Sequence, residues 1–275
     1  MSEIGINKSE NKIYGYDEEL WYLVLRSQNK TGERDIGAID RYLRTHSPGK
    51  EILDLGCGTG RISNMLAGMG YSVTGMDLSS RCIGEAKRLA QGLGVSKNVT
   101  YIVGDYRELG PVSGKKFDAA LCILAPAWKS IDEATSVFGN LALHMRDGAI
   151  LLLRETVKER FLASLSAAPS VQSWFRVAGD ILCLHAWHYY RMESRVMTTK
   201  EFYRRRGKDF EYIARVEQEY VLRSIADYSA ALERAGWDVV EIANESVDLL
   251  EPEKYNDPWW LFSALIVAKL GGRRA

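Results

Sequence analysis

Three glycines at alternate positions, in Gly56-Cys57-Gly58-Thr59-Gly60, stand between the apolar run Glu51 to Leu55 and a segment with apolar residues at helical spacing. Glycine lets a backbone approach a ligand closely, and the first turn of a helix offers unpaired N–H groups, so this order of residues builds a site for an anionic or polar ligand. Asp77 closes the next apolar run, where an acidic side chain reaches the hydroxyls of a ribose and can accept two parallel hydrogen bonds from a diol. The same Asp also suits a helix cap, in competition with Ser79 and Ser80. A dinucleotide site is the competing reading of the loop, but its fingerprint needs the third glycine one position later, where the chain has Arg61.

The elements that must hold these residues follow from periodicity. Residues 51–55 read as a buried strand, and Ile62, Met65, Leu66 and Met69 as one face of a helix ended by Gly68 and Gly70. Strands over 71–76, 99–103, 117–123 and 149–153 alternate with helices carrying Ile83, Ala86 and Ala90, and then Ala134, Val137, Phe138, Leu141 and Met145. That spacing predicts an α/β fold, a doubly wound, mostly parallel seven-stranded sheet with helices on both faces. The alternation stops after Leu153. A helix through Val157, Phe161, Leu162 and Leu165 and strand-like runs at 181–192 and 210–222 read as a lid inserted after strand five. A helix over 225–235, a strand over 237–242 and a last strand over 261–269 complete the sheet. The expected division is a core of residues 1–155 and 224–275 with a lid of residues 156–223.

Residues 52–61, Ile-Leu-Asp-Leu-Gly-Cys-Gly-Thr-Gly-Arg, resemble the first motif of class I, Rossmann-like, S-adenosylmethionine-dependent methyltransferases. Gly75-Met76-Asp77-Leu78-Ser79 is similar to the second, and Gly104-Asp105-Tyr106 to the motif after the third strand. The resemblance implies that Asp54 and the backbone around Gly56, Cys57, Gly58 and Gly60 meet the methionine ammonium and carboxylate of the cofactor. It further implies that Asp77 binds the ribose, that Leu78 packs on the adenine, and that Asp105 accepts from the adenine amine with Tyr106 flanking it. Read without the resemblance, Leu78 serves as core and Tyr106 as a surface aromatic.

A sulfonium methyl is already activated, so such a protein has chiefly to align an acceptor and exclude water. In this family the residues after strand four face the methyl; here they are Leu124-Ala125-Pro126-Ala127-Trp128, unlike the Asn-Pro-Pro-aromatic signature of enzymes acting on nucleobase or glutamine amides. Small-molecule N-methyltransferases of the glycine, sarcosine and amino-sugar type resemble this chain most, because their lid also follows strand five. Some of them carry a His near the position of Trp128, so no base is carried over. Trp128 suits either a cation–π contact with an acceptor amine or plain core. In residues 185–191, His185, Trp187, Tyr189 and Arg191 share one strand face, the other taking His188 and Tyr190, which predicts either acceptor contacts or an aromatic face packed on the core. An N-terminal helical segment over residues 1–40, bearing Tyr16 and Trp21, is expected to fold over the cofactor or to pack there.

The composition allows this reading and removes others. Lys plus Arg and Asp plus Glu number 36 each, which gives no general field for a polyanion and makes a nucleic-acid partner unexpected. The four cysteines and four histidines lack metal-ligand spacing, so no metal is expected, and scattered cysteines point to a reducing, cytoplasmic setting. No secretory leader and no membrane-spanning run is read. The expected function is methyl transfer from S-adenosylmethionine to nitrogen or oxygen of a small molecule, with a homo-oligomer as a further expectation. The alternatives are a protein or RNA methyltransferase and a non-catalytic cofactor-binding regulator.

Overall fold

The computed structural model describes residues 12–13, 16–17, 22, 32–124, 128, 130–165, 171–243 and 263–271. Two short antiparallel strands, β1 (Lys12–Ile13) and β2 (Tyr16–Asp17), replace the helix expected around Tyr16, and the first long helix is α1 (Gly32–His46). Ile13, Tyr14 and Tyr16 are residue types that favour an extended backbone, and Gly15 between them disfavours a helix. Trp21 lies outside the described residues.

Alternation then follows the sequence reading: β3 (Glu51–Leu55), α2 (Arg61–Gly68), β4 (Ser72–Asp77), α3 (Ser80–Gly92), β5 (Val99–Val103), β6 (Phe117–Ile123), α4 (Ile131–Ala142) and β7 (Met145–Thr156). After α5 (Lys158–Leu165) come β8 (Val171–Ala178), β9 (Ile181–Tyr190), β10 (Arg195–Arg206) and β11 (Asp209–Val221), then α6 (Ile225–Arg234), β12 (Trp237–Ala243) and β13 (Ser263–Leu270). The main sheet has seven strands in the order β12-β13-β7-β6-β3-β4-β5. β13 runs antiparallel to both its neighbours, and the remaining pairings are parallel.

Helix starts are chemically marked. The Ser79 hydroxyl accepts from the Cys82 N–H at the start of α3, Ser130 caps α4, and Ser224 with Asp227 forms a capping box on α6. Side chains alternate across the sheet. Ile52, Leu121, Ile150 and Leu152 face α1 and α2, whereas Leu53, Leu55, Leu151 and Leu153 face α4 and α6.

Strands β8 to β11 form a separate four-stranded antiparallel sheet in the order β11-β10-β9-β8. Two of these strands, β8 and β10, are additional to the two runs expected from the sequence. The ends of this segment meet, since the Lys158 N–H donates to the Arg223 carbonyl at 2.8 Å and Val157 bridges Arg223. Arg191 leaves the strand on which it was expected: it opens a 3-10 turn, Arg191–Glu193, so it does not continue the face of His185, Trp187 and Tyr189. Among the described helices none is long and apolar enough to cross a membrane.

Candidate active site

The loop between β3 and α2 lies at the carboxyl edge of the sheet. Gly56, Gly58 and Gly60 have φ of 68°, 55° and 73°, a left-handed conformation that glycine alone adopts without strain. The loop is tied to β4: the N–H groups of Gly56 and Cys57 both donate to the Met76 carbonyl, at 2.8 and 3.0 Å. Asp77 completes the attachment, accepting from the Gly58 N–H at 2.9 Å and from the Ser79 N–H at 2.9 Å. Ser79 is therefore the helix cap, and Asp77 instead joins the glycine loop to the turn after β4.

Asp54 is buried behind the same loop, where the Ser63 hydroxyl donates to it at 2.5 Å. Burial, and to a smaller degree the Asp77 charge, raise its carboxyl to about 6 against the lowering effects of Ser63 and of the Arg61 guanidinium. Two carboxylates thus flank a loop of left-handed glycines, one beneath it and one beside it. Gly75 makes the close packing workable: a Cβ there would stand 2.8 Å from the Tyr101 ring and 2.9 Å from the Cys57 sulfur. Gly75→Ala is expected to destabilise the fold by about 1–3 kcal/mol through overpacking. Urea unfolding measures it, and an unchanged midpoint would mean that Tyr101 and Cys57 yield freely.

Leu78 is half-buried just past Asp77. At the end of β5, burial would raise the Asp105 carboxyl, but a paired Arg107 guanidinium and the Arg107 backbone N–H hold it below the usual range. Arg107 also reaches Glu133 at 3.4 Å. Tyr106 is not a surface aromatic; it is buried and meets Trp128 edge-on, with ring centroids 6.1 Å apart.

Trp128 belongs to the core on the α4 and α6 side, 8% exposed and edge-on to Phe138 at 5.3 Å. Trp187 and Tyr189 do not approach it. They pack on Phe161 of α5, at centroid distances of 4.8 and 5.3 Å, in a cluster with Val196 and Leu222. His185 lies on the same buried face, its Nε2 3.1 Å from the Cys183 sulfur. The structure therefore divides the expected acceptor-site aromatics between two cores, because the lid sheet has a helix of its own to cover. Tyr16 pairs with Ile13 in the β1–β2 ladder; its side chain and that of Arg191 lie outside the described residues.

A group the sequence reading passed over is Glu155. β7 continues past the apolar run to Thr156, and Glu155 is 1% exposed, with its Oε1 lacking a hydrogen-bond partner among the described residues. Burial pushes its carboxyl well up, outweighing the Thr156 backbone N–H and the charge of Arg223. The signal was present: two charged residues, Arg154 and Glu155, directly follow a run of buried strand. The hollow of about 380 Å³ lined by Glu51, Lys97, Lys115, Lys116 and Arg146 is unrelated to these groups, since Glu51 opens β3 at the opposite edge of the sheet.

The fold has counterparts among solved structures. The sugar N-methyltransferase KedS8 of a Streptoalloteichus species superposes with a TM-score of 0.70, covering 99% of this chain and 100% of that one at 18% identity. CalS10, an amino pentose methyltransferase of Micromonospora echinaspora solved with S-adenosylmethionine bound, gives 0.67, covering 91% and 96% at 17% identity. These likenesses establish the fold. A family model described as a methyltransferase domain matches residues 52–148, the span holding the glycine loop, Asp77 and Asp105. Residues 52–148 are thus similar to a methyltransferase domain, on a fold shared with these solved structures.

The sequence relationships cover part of the chain. The chain is 34% identical over 135 residues to the uncharacterized protein YjhP of Escherichia coli, which spans 47% of this chain and 51% of that protein. It is 33% identical over 96 residues to the magnesium-protoporphyrin O-methyltransferase of a Synechocystis species, covering 34% and 40%. The chain thus spans about half or less of the length of these relatives. Within the matched segment the residues present fit the cofactor: the buried Asp54 carboxyl suits its ammonium, and Asp77, aligned by two backbone N–H groups at the end of β4, suits a ribose diol.

Proposed function

We propose that the protein transfers a methyl group from S-adenosylmethionine to nitrogen or oxygen of a small-molecule acceptor. The observation that carries this reading is the placement of Asp54 and Asp77 on either side of the left-handed glycine loop at the carboxyl edge of a seven-stranded sheet. Support comes also from the relatives and structural counterparts that act on small molecules. The cofactor supplies a sulfonium methyl that needs no further activation. The chain's own residues bind, orient and exclude water: Asp54 takes the ammonium, Asp77 the ribose, Leu78 one face of the adenine and Asp105 its amine. The antiparallel sheet of β8 to β11, within residues 156–223, serves as the lid over the acceptor.

Incubation with methyl-labelled S-adenosylmethionine and pools of metabolites, peptides and RNA tests the reading. Label is expected in a small molecule. Label only in peptide or RNA, or cofactor binding without transfer to any pool, would overturn it.

Asp54 makes cofactor affinity depend on pH. The ammonium needs the ionised carboxylate, which forms only as pH rises through about 6. Affinity is therefore expected to rise by up to about tenfold per pH unit below that point and to level off above it. In the cofactor-free protein the sign is opposite: the folded carboxyl holds its proton more tightly than the unfolded one, so its contribution to stability is lost as pH rises from 3.8 to about 6. Asp54→Asn should flatten both profiles, and calorimetric titrations across this range check the first.

A further inference from the structure

Glu155 and Trp128 present two orphaned polar atoms of opposite character. The Glu155 Oε1 and the Trp128 indole N–H are both buried without a hydrogen-bond partner among the described residues. Tyr228 of α6 shares the Trp128 core, and burial first and the Glu155 charge next raise its phenol, while the Trp128 indole lowers it. Strand register locates the group. Leu55, Cys122 and Leu153 stand side by side across β3, β6 and β7, so Gly56 and Glu155 both lie just beyond that row, at the same edge and about 10 Å apart across two strand spacings. The Cys122 thiol senses both the Glu155 and the Asp54 carboxylates.

An apolar residue at 155 would simply continue the stripe of Leu151 and Leu153 toward α6. A buried carboxyl oxygen left unmade is instead costly, and such groups persist where a ligand or water completes them. A buried carboxyl oxygen with no partner suits the N–H of a neutral amine, and a carboxyl group is also suited to the positive charge that such a nitrogen gains on methylation. We propose that Glu155, on the strand face that packs toward the core of Trp128 and Tyr228, is the group that receives an amine of the methyl acceptor, its Oε1 accepting a hydrogen bond from the amine N–H.

The inference rests on the methyltransferase reading above and specifies the acceptor class. The amine reacts as the neutral base: its lone pair forms the new N–C bond as the C–S bond breaks and the C–S electron pair stays on sulfur. Positive charge passes from sulfur to nitrogen, and the Glu155 oxygen that accepts from the N–H stabilises it where it arrives.

The test uses the full chain with Glu155→Leu and Glu155→Gln, and three measurements: melting temperature, calorimetric binding of S-adenosylhomocysteine, and labelled methyl transfer to a panel of amino sugars, amino acids and biogenic amines alongside their hydroxyl counterparts. Glu155→Leu is expected to melt at least as high as the wild type, because the orphaned carboxyl is gone, and to bind S-adenosylhomocysteine within about twofold of it. Its kcat on the amine acceptor should fall about 100-fold, with a smaller change in KM. Glu155→Gln should fall between the two. Turnover of Glu155→Leu within threefold of wild type would overturn the proposal and leave a buried water as the partner of Glu155. So would transfer to hydroxyl compounds alone, or a wild type that binds S-adenosylhomocysteine yet methylates no amine of the panel. A wild type that fails to bind S-adenosylhomocysteine at all removes the methyltransferase reading itself, a distinct result.

Discussion

Asp77→Ala is expected to weaken binding of both S-adenosylmethionine and S-adenosylhomocysteine by about 10²–10⁴-fold. The carboxylate is asked to accept two hydrogen bonds from the ribose, and bonds to a charged group contribute about 1.5–3 kcal/mol each. The same side chain accepts from the Gly58 and Ser79 N–H groups, so its removal also leaves the glycine loop without its anchor to the turn after β4. Asp77→Asn keeps an acceptor for one of these donors and should fall between Ala and wild type. Calorimetry on the three proteins reads the effect. Affinity within threefold of wild type for Asp77→Ala would separate Asp77 from the cofactor and leave it a purely structural residue.

Trp128→Ala is expected to destabilise the protein by about 3–5 kcal/mol, the range for removing a large buried aromatic. For a chain of this size that corresponds to a fall in Tm on the order of 10 °C. The indole touches Tyr106 and Phe138 edge-on and lies in the cluster that joins α4 and α6 to the sheet, so the hole left behind has rigid walls. Trp128→Phe should recover most of the loss. Thermal melting with the cofactor absent measures it directly. An unchanged Tm together with impaired turnover would show that the ring shapes only the acceptor space.

The glycine loop and its two acids were legible because their signals are local. Alternate glycines leave few conformations other than the left-handed turn seen at Gly56, Gly58 and Gly60, and Asp77 sits where the strand must end. What Trp187 and Tyr189 pack on was not legible. Alternation correctly assigned them to one buried face of β9, but their partner, Phe161, is fixed by how the lid folds back, which no local period encodes. β10 was missed because Thr198 and Lys200 occupy its buried face between Val196 and Phe202 and interrupt the apolar alternation. Glu155 was passed over for a related reason. Charged residues ordinarily end a buried strand, yet the ladder to β13 continues through Ala264 opposite Glu155 and Ser263 opposite Thr156.

The placement of β13 also governs the order of assembly. β12 has a single neighbour in the sheet, and that neighbour is β13, which follows it in the chain. While a ribosome is still synthesising the protein, β3 to β7 can already pair among themselves, but β12 has no edge to join until residues 263–270 emerge and wedge between it and β7. Until then β7 presents an open, strongly apolar edge, the kind of surface on which nascent chains associate wrongly. A ribosome stalled before residue 263 should therefore hold a chain that engages holding chaperones, and release from them should coincide with emergence of the last strand.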